Sequence, residues 1–282
     1  AVQAAAHLIG HCQMAGPVPA SLAKSGCVDG PLNPVPYQRV IRALFDPSVF
    51  DVNGLLMYHD MGTGKTCSIV LVVEALFDYY VTGARNKDVP CVLILIQNIT
   101  GLVNFVETVE KGCRMRGGGV KWVEEKIKEP DAKMYLLYND KTLVVRVCIQ
   151  RMAVKTRDSF VKFFDRDRSR STPLPAKGVV IVDEAHNLVN STDVSARSDN
   201  ATQLFAEEIM RRKDLPVLLA TGTPVLCSER LSDLFRLMDL VRRPDEKDRF
   251  VTERDVQSLD RLRQSDKDGW KACASIEGRS EV

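Results

Sequence analysis

A short stretch at residues 54–66, which reads GLLMYHDMGTGKT, constrains the fold of this chain more than any other. It opens with an apolar run of strand length, and the apolar residues that follow Thr66 recur at helical spacing. Gly62 and Gly64 allow the backbone to turn tightly, so that its N–H groups can surround a phosphate. The sequence therefore predicts a strand, a phosphate-binding turn and a helix, in that order.

The residues of this turn have the chemistry that a nucleotide requires. We expect Lys65 to reach the β- and γ-phosphates and the Thr66 hydroxyl to ligate Mg²⁺, while the start of the helix adds unpaired N–H groups and the positive end of its dipole. The predicted cofactor-binding residues of the turn are Met61, Gly62, Thr63, Gly64, Lys65 and Thr66. The usual G-x-x-x-x-G-K-[ST] pattern is broken at His59, where a glycine is expected, and a glycine-rich turn without a ligand is the alternative.

A second informative stretch, residues 177–188, begins as an apolar strand and continues into two adjacent carboxylates, Asp183 and Glu184. Asp183 is predicted to hold Mg²⁺ opposite Thr66, directly or through water. Glu184 is then placed to orient and deprotonate the water that attacks the γ-phosphate. An acidic turn after a strand is common, but together with the earlier turn it predicts a hydrolytic site with Lys65, Asp183 and Glu184 as catalytic residues.

Two polar segments near the phosphate turn are further candidates. Gln38 lies at the start of a helix predicted from Pro36, and its amide can donate to and accept from an adenine edge at once. After the apolar strand at 90–96, Asn98 or Thr100 could cap the next helix. The same loop could offer N–H groups and hydroxyls to a nucleic-acid phosphate, and these two roles are compatible.

Two more strands end in polar residues. Gln150 and Arg151 follow a strand predicted at 143–149, at the point where a loop would leave the sheet. The apolar strand at 215–220 runs into residues 221–224, which read TGTP. Thr221 and Thr223 could sense the state of the phosphate site, although an ordinary turn is the simpler explanation of that segment alone.

Strands and helices alternate along most of the chain, with polar residues at the carboxyl ends of the strands. This order predicts an α/β fold in which a mostly parallel sheet is flanked by helices. Further helices are expected at 204–213 and 229–241 and a strand at 133–138, while the charged segment 165–171 is expected to be a surface loop.

Composition limits the class of protein. At 282 residues with 45% hydrophobic residues, the chain can bury the core of one large domain. A formal net charge of +2 shows no global basic excess, so a nucleic-acid surface would have to be local. There is no apolar run of the roughly eighteen residues that would cross a bilayer, and the amino terminus does not resemble a signal peptide. Scattered cysteines such as Cys91 and Cys148, without any C-x-x-C pair, are typical of reduced cysteines in an intracellular protein, in the cytoplasm or nucleus.

These motifs, in this order, resemble the N-terminal RecA-like ATPase domain of superfamily 2 helicases and translocases. The similarity covers residues 37–241, where Tyr37 and Gln38 match the adenine-reading position. The segment DMGTGKT is similar to motif I, residues 183–186 to the DEAH form of motif II, and residues 221–224 to the TGTP form of motif III. The regions at 96–100 and 148–152 lie where motifs Ia and Ib would be.

The resemblance implies ATP and Mg²⁺ as cofactors and nucleic acid as a partner, in contact with Asn98, Thr100, Gln150 and Arg151. It implies that His186, Thr221 and Thr223 couple the ATP site to movement. It also implies a second RecA-like domain, absent here, whose arginine finger completes the site; loss of such a finger costs about 10³–10⁵ in rate. We expect a leader at 1–36, the ATP-binding domain at 37–241 and a charged linker at 242–282.

Finer resemblances bear on the substrate. TGTP followed by LSDLFRLMDLV resembles the Swi/Snf-type branch, whose members move along duplex DNA, which implies DNA rather than RNA. The combination of YHDMGTGKT with DEAHNL is similar to NTPases and helicases of large DNA viruses, which implies transcription or virion proteins as partners and a location in the virion or host cytoplasm. A structural or assembly module with this fold, and a DEAH-type RNA helicase, remain as alternatives.

Overall fold

The computed structural model describes residues 35–47, 53–58, 64–83, 89–111, 121–152, 163–165, 170–189, 201–222, 231–244 and 248. The helices in these ranges are α1 (Pro36–Leu44), α2 (Lys65–Gly83), α3 (Ile99–Lys111), α4 (Ala201–Arg211) and α5 (Leu231–Arg242). The strands are β1 (Gly54–Tyr58), β2 (Cys91–Ile96), β3 (Lys121–Glu125), β4 (Ala132–Asn139), β5 (Thr142–Arg151), β6 (Phe163–Asp165), β7 (Arg170–Thr172), β8 (Gly178–Asp183) and β9 (Val217–Thr221). A short 3-10 helix follows β8 at Ala185–Leu188.

Seven strands form one sheet in the order β1-β9-β8-β2-β5-β4-β3. The first five pair in parallel, and β4 and β3 extend the sheet with antiparallel pairs. The predicted α/β fold, a mostly parallel sheet flanked by helices, is confirmed, and it is consistent with a RecA-like domain. Since β9 and β8 lie between β1 and β2, the carboxyl ends of these four strands meet along one edge of the sheet.

Two apolar layers cover the two faces of this sheet, which explains why β2 is a continuous apolar run. Its even-numbered residues, such as Ile94, pack in one layer with α1, α2 and α3, and its odd-numbered residues, such as Leu93, pack in the other with α4 and α5. All six residues of β2 are buried. Successive side chains of a strand point to opposite faces, so a strand covered on both faces has no polar position.

The structure corrects the position of two predicted loops. Strand β5 continues through Gln150 and Arg151 rather than ending before them, and Arg151 still pairs with Ile96 of β2. The expected surface loop at 165–171 is partly a hairpin, because β6 and β7 pair with each other in antiparallel fashion. Residues 166–169 lie outside the described residues, as do 1–34 of the predicted leader and most of the predicted linker.

The cysteines follow the expectation only in part. Cys91 and Cys148 are free and buried; burial raises the pKa of Cys91 to about 12 and that of Cys148 well above its ordinary value. Cys67 is disulfide-bonded, so the prediction of reduced cysteines is wrong for this residue. Among the described helices, none combines the length and the hydropathy that crossing a membrane requires.

At the edge of the sheet where the parallel strands begin, a buried arginine connects the end of α5 to the beginnings of two strands. The Arg243 guanidinium donates to the backbone carbonyl of Arg212 at 2.8 Å and to those of Leu215 and Asn53. Arg243 is only 3% exposed. Because Asn53 precedes β1 and Leu215 precedes β9, this one side chain fixes α5 against the start of the neighbouring strands.

Candidate functional site

The predicted phosphate turn and the Asp-Glu pair meet at the edge of the sheet that is formed by the carboxyl ends of the parallel strands. Lys65, the first residue of α2, lies with its Nζ 2.9 Å from Oδ1 of Asp183, the last residue of β8. The same ammonium also donates to Oε1 of Glu184. The Lys65 and Asp183 side chains are 14% and 16% exposed, so this ion pair is largely shielded from water. The structure thus brings together the three residues predicted to be catalytic.

Burial and pairing act on these charges in opposite directions. For Lys65, burial lowers the pKa, but attraction to Asp183 and hydrogen bonds to both carboxylates outweigh it, so that the pKa is raised. For Asp183, burial raises the pKa, and Lys65 offsets this only in part. The ammonium of Lys65 is therefore firmly charged and neutralised by two carboxylates. A phosphate group would have to compete with these carboxylates for Lys65.

Glu184 has an unusual backbone conformation. Its φ of 52° and ψ of 51° lie in the left-handed region, where a non-glycine residue costs about 1–3 kcal/mol. Hydrogen bonds around it hold this conformation: the Glu184 N–H donates to Asp183 Oδ1 at 3.1 Å, and its carbonyl accepts from the Asn187 N–H at 3.0 Å. Its Oε2 lies 3.5 Å from the backbone nitrogen of Gly222, just after β9. Strain at a functional position is a common feature of active sites.

His186 connects the DEAH segment to the end of β9. Its Nδ1 lies 2.9 Å from Oγ1 of Thr221, which is fully buried, and 3.4 Å from Oε2 of Glu184. The predicted coupling residues His186 and Thr221 are therefore in contact. Thr223 lies outside the described residues.

The tautomer of His186 follows from its neighbour Asn187. Asn187 Nδ2 donates to the Glu184 carbonyl at 2.9 Å and lies 3.1 Å from His186 Nε2. Because an amide nitrogen only donates, Nε2 must accept, and the proton of the neutral ring belongs on Nδ1, facing Thr221. Burial lowers the pKa of His186, more than the attraction of Glu184 raises it, which favours the same neutral form.

The part of the phosphate turn that the structure describes begins at Gly64. Its φ of +89° is a conformation that L side chains rarely adopt, and a Cβ here would lie 2.9 Å from Gln38 Nε2. Gln38 donates to the Gly64 carbonyl at 3.2 Å and accepts from the Val35 N–H at 3.2 Å. Gln38 is thus buried against the turn, and its adenine-reading role stays a prediction. Ser68, which the sequence did not single out, donates to the same carbonyl through N–H and Oγ, at 3.0 Å and 3.3 Å.

The remaining cofactor residues are only partly described. Met61, Gly62 and Thr63 lie outside the described residues, as does His59. Thr66 follows Lys65 in the first turn of α2 and is half-buried. A hydroxyl and a carboxylate, from Thr66 and Asp183, are the hard oxygen donors that Mg²⁺ prefers. These residue types fit the ion, and its binding stays a prediction.

The four predicted nucleic-acid contacts fall into two groups. Asn98 and Thr100 are exposed at the start of α3, and Asn98 Oδ1 accepts from the Gly101 N–H at 2.8 Å, which confirms the capping role. Gln150 is 0% exposed within β5, so it does not lie on a loop that a nucleic acid could reach. Arg151 is half-buried with its Nε 3.3 Å from Asp131 Oδ1. Of these four residues, Asn98 and Thr100 are exposed, Arg151 is half-buried and Gln150 is buried.

Sequence reasoning missed a link between two neighbouring strand ends. Gln97 Nε2, directly after β2, donates to Asn187 Oδ1 at 2.9 Å. Both are polar residues close behind an apolar strand, and that signal is visible in the sequence. Their pairing is not visible, because it depends on β8 lying beside β2 in the sheet.

Comparison with known proteins gives one distant relationship. No family model matches the chain. The chain is similar to a protein of Invertebrate iridescent virus 3 named "Putative helicase 087L", with 26% identity over 206 residues. The match covers 72% of this chain and 20% of that protein, so the chain spans about a fifth of its relative. The chain is thus distantly similar to a protein that is named as a putative helicase, and this similarity does not identify a specific activity.

Proposed function

We propose that this chain is the first ATP-binding domain of a nucleic-acid-dependent ATPase of the helicase or translocase type. The observation that carries the proposal is the contact of Lys65, at the start of α2, with Asp183 and Glu184 at the end of β8. A lysine at the start of a helix, close to two carboxylates at the end of a strand, fits the parts that enzymes use for phosphoryl transfer. The distant relative named as a helicase supports the same class.

Each residue has a role in this proposal. Lys65 leaves its carboxylate partners and binds the β- and γ-phosphates, and Glu184, relieved of that ion pair, accepts the proton of the attacking water. Thr66 and Asp183 would hold Mg²⁺, which would supply positive charge to neutralise the phosphate oxygens. Through their hydrogen bond, His186 and Thr221 report the state of Glu184 to the end of β9.

The nucleic-acid part of the proposal rests on Asn98 and Thr100. Both are exposed where β2 meets α3, at the same edge of the sheet as Glu184. Hydroxyls, amides and helix N-terminal N–H groups commonly contact phosphate oxygens. We propose DNA rather than RNA as the partner, on the resemblance of residues 221–224 to the TGTP form of motif III. Movement along DNA would also require a second RecA-like domain that completes the ATP site.

The test is ATP hydrolysis by the full-length protein with no nucleic acid, with duplex DNA, with single-stranded DNA and with RNA. Lys65→Ala and Glu184→Gln should each lower turnover at least about a hundredfold, since both act on the reacting groups. Matched controls are Lys133→Ala and Glu208→Gln, because both residues form surface ion pairs away from the site. These controls should retain wild-type turnover.

The outcomes separate the alternatives. Turnover stimulated by DNA and lost in the two site variants supports the proposal. Stimulation by RNA alone would favour the RNA helicase instead. Nucleotide binding without turnover under every condition would contradict the proposed enzymatic function and would favour a structural or assembly module.

A further inference from the structure

The side chain of Asn187 is a bridge between three parts of the candidate site. Its Nδ2 donates to the carbonyl of Glu184 at 2.9 Å and lies 3.1 Å from His186 Nε2. Its Oδ1 accepts from Gln97 Nε2 at 2.9 Å. One amide group therefore connects the end of β2 to the turn that carries the predicted general base.

The orientation of this bridge is determined by its partners. A backbone carbonyl only accepts, so the amide nitrogen of Asn187 must face Glu184, and its oxygen must face Gln97. Gln97 must therefore donate to this oxygen through its own side-chain nitrogen. Both ends of the Asn187 amide are then used, and it cannot rotate without losing a hydrogen bond on each side. The two strand ends are therefore joined through a side chain of fixed orientation.

The residues that follow Gln97 are those proposed to contact nucleic acid. Gln97 is half-buried, and the next residues, Asn98 and Thr100 among them, are exposed. Asn98 also caps α3 through the Gly101 N–H, so a ligand that pulls on Asn98 moves the start of α3 together with Gln97. At the other end, Glu184 has a left-handed backbone, which depends on its surroundings and is therefore sensitive to the bridge.

We propose that Gln97 and Asn187 are positioning residues that transmit nucleic-acid binding at residues 98–100 to Glu184. The inference rests on the proposed function, and it adds a specific route by which a nucleic acid stimulates hydrolysis. Neither side chain needs to touch ATP or the nucleic acid. A single hydrogen bond makes a modest net contribution, so removal of one should lower the stimulation factor by about twofold to tenfold.

The experiment uses the full-length protein with Gln97→Met, Asn187→Ala and the double variant. Met keeps the length of Gln97 and removes its donor, so that this variant perturbs packing little. The measured quantities are kcat and KM for ATP with and without saturating DNA, DNA affinity by fluorescence anisotropy, and thermal unfolding. Asn139→Ala is the control, because Asn139 ends β4 at the opposite edge of the sheet.

We expect the ratio of DNA-stimulated to unstimulated kcat to fall about twofold to tenfold in each single variant, and no further in the double variant. DNA affinity should stay within about threefold, and Asn139→Ala should keep the wild-type ratio. An equal loss of stimulated and unstimulated turnover, or a loss of DNA affinity that accounts for the whole effect, would overturn the inference. If both single variants keep the stimulation of the wild type, the inference is overturned and the proposed function stands. A wild-type protein that no nucleic acid stimulates would refute the proposed function, and the inference with it.

Discussion

Replacing Lys65 with alanine should destabilise the fold even in the absence of nucleotide. The ammonium neutralises Asp183 and Glu184, whose side chains are 16% and 30% exposed. Removal of one partner of a fully buried ion pair costs about 3–5 kcal/mol. Since these groups retain some contact with water, we expect a loss of about 2–3 kcal/mol at pH 7.5.

The assay is urea unfolding followed by circular dichroism, at pH values from 7.5 down to 4.5. Burial raises the pKa of Asp183, and removal of Lys65 raises it further. A carboxyl group with a raised folded-state pKa takes up a proton more readily in the folded than in the unfolded state. The variant therefore recovers stability as the pH falls through the pKa of Asp183, and the gap to the wild type narrows.

Lys133→Ala is the matched control for this prediction. Lys133 pairs with Glu124 on the surface at 2.6 Å, and both side chains are nearly half exposed. An exposed pair of this kind contributes about 0–1 kcal/mol. A loss under about 1 kcal/mol in Lys65→Ala, or a gap that widens as the pH falls, would refute the reasoning that Lys65 is held by buried carboxylates.

Three other perturbations test separate parts of the structure. Arg243→Ala should lower the free energy of unfolding in urea by about 3 kcal/mol, because three backbone carbonyls lose a charged donor. The control Arg211→Ala, which removes a surface ion pair, should lower it by about 0.5 kcal/mol. Equal losses in the two variants would contradict this prediction. Gly64→Ala should weaken nucleotide binding at least about tenfold in a fluorescent-nucleotide titration, because the left-handed backbone costs about 1–2 kcal/mol with a side chain and the added Cβ would lie 2.9 Å from Gln38 Nε2; wild-type affinity in this variant would contradict the prediction. Because the pKa of His186 is lowered, the unfolded state binds its proton first, so the contribution of His186 to stability should fall as the pH drops below about 6.5. The stability of the wild type relative to His186→Gln, measured by unfolding at pH 7.5, 6.5 and 5.5, should therefore decrease, and a constant difference would count against a neutral ring.

Local patterns predicted most of the elements. The run CVLILI became the fully buried β2, and the helical spacing after Thr66 became α2. The contact of Lys65 with Asp183 was also predictable, because the carboxyl ends of parallel strands share one edge of a sheet. These predictions depend only on periodicity and on chain direction, which the sequence contains.

The errors arose where tertiary partners decide the structure. Gln150 and Arg151 read as the start of a loop because they are polar, yet β5 continues beside β2 and Arg151 has Asp131 as an ionic partner. Charged residues around 165–171 likewise read as a loop, and pairing of β6 with β7 overrides that preference. Propensity describes a segment in isolation, so it fails where a neighbouring strand supplies the hydrogen bonds.

The position of Glu184 shows why the site required the structure. Nothing in a glutamate favours a left-handed backbone, so its conformation comes from the hydrogen bonds around it. Its Oε1 accepts from Lys65, while its Oε2 faces His186 at 3.4 Å and the Gly222 nitrogen at 3.5 Å. Under the proposed function, a phosphate that takes Lys65 frees only Oε1. The carboxylate would then remain anchored through Oε2 and present a single unpaired oxygen, which is the state that a general base needs.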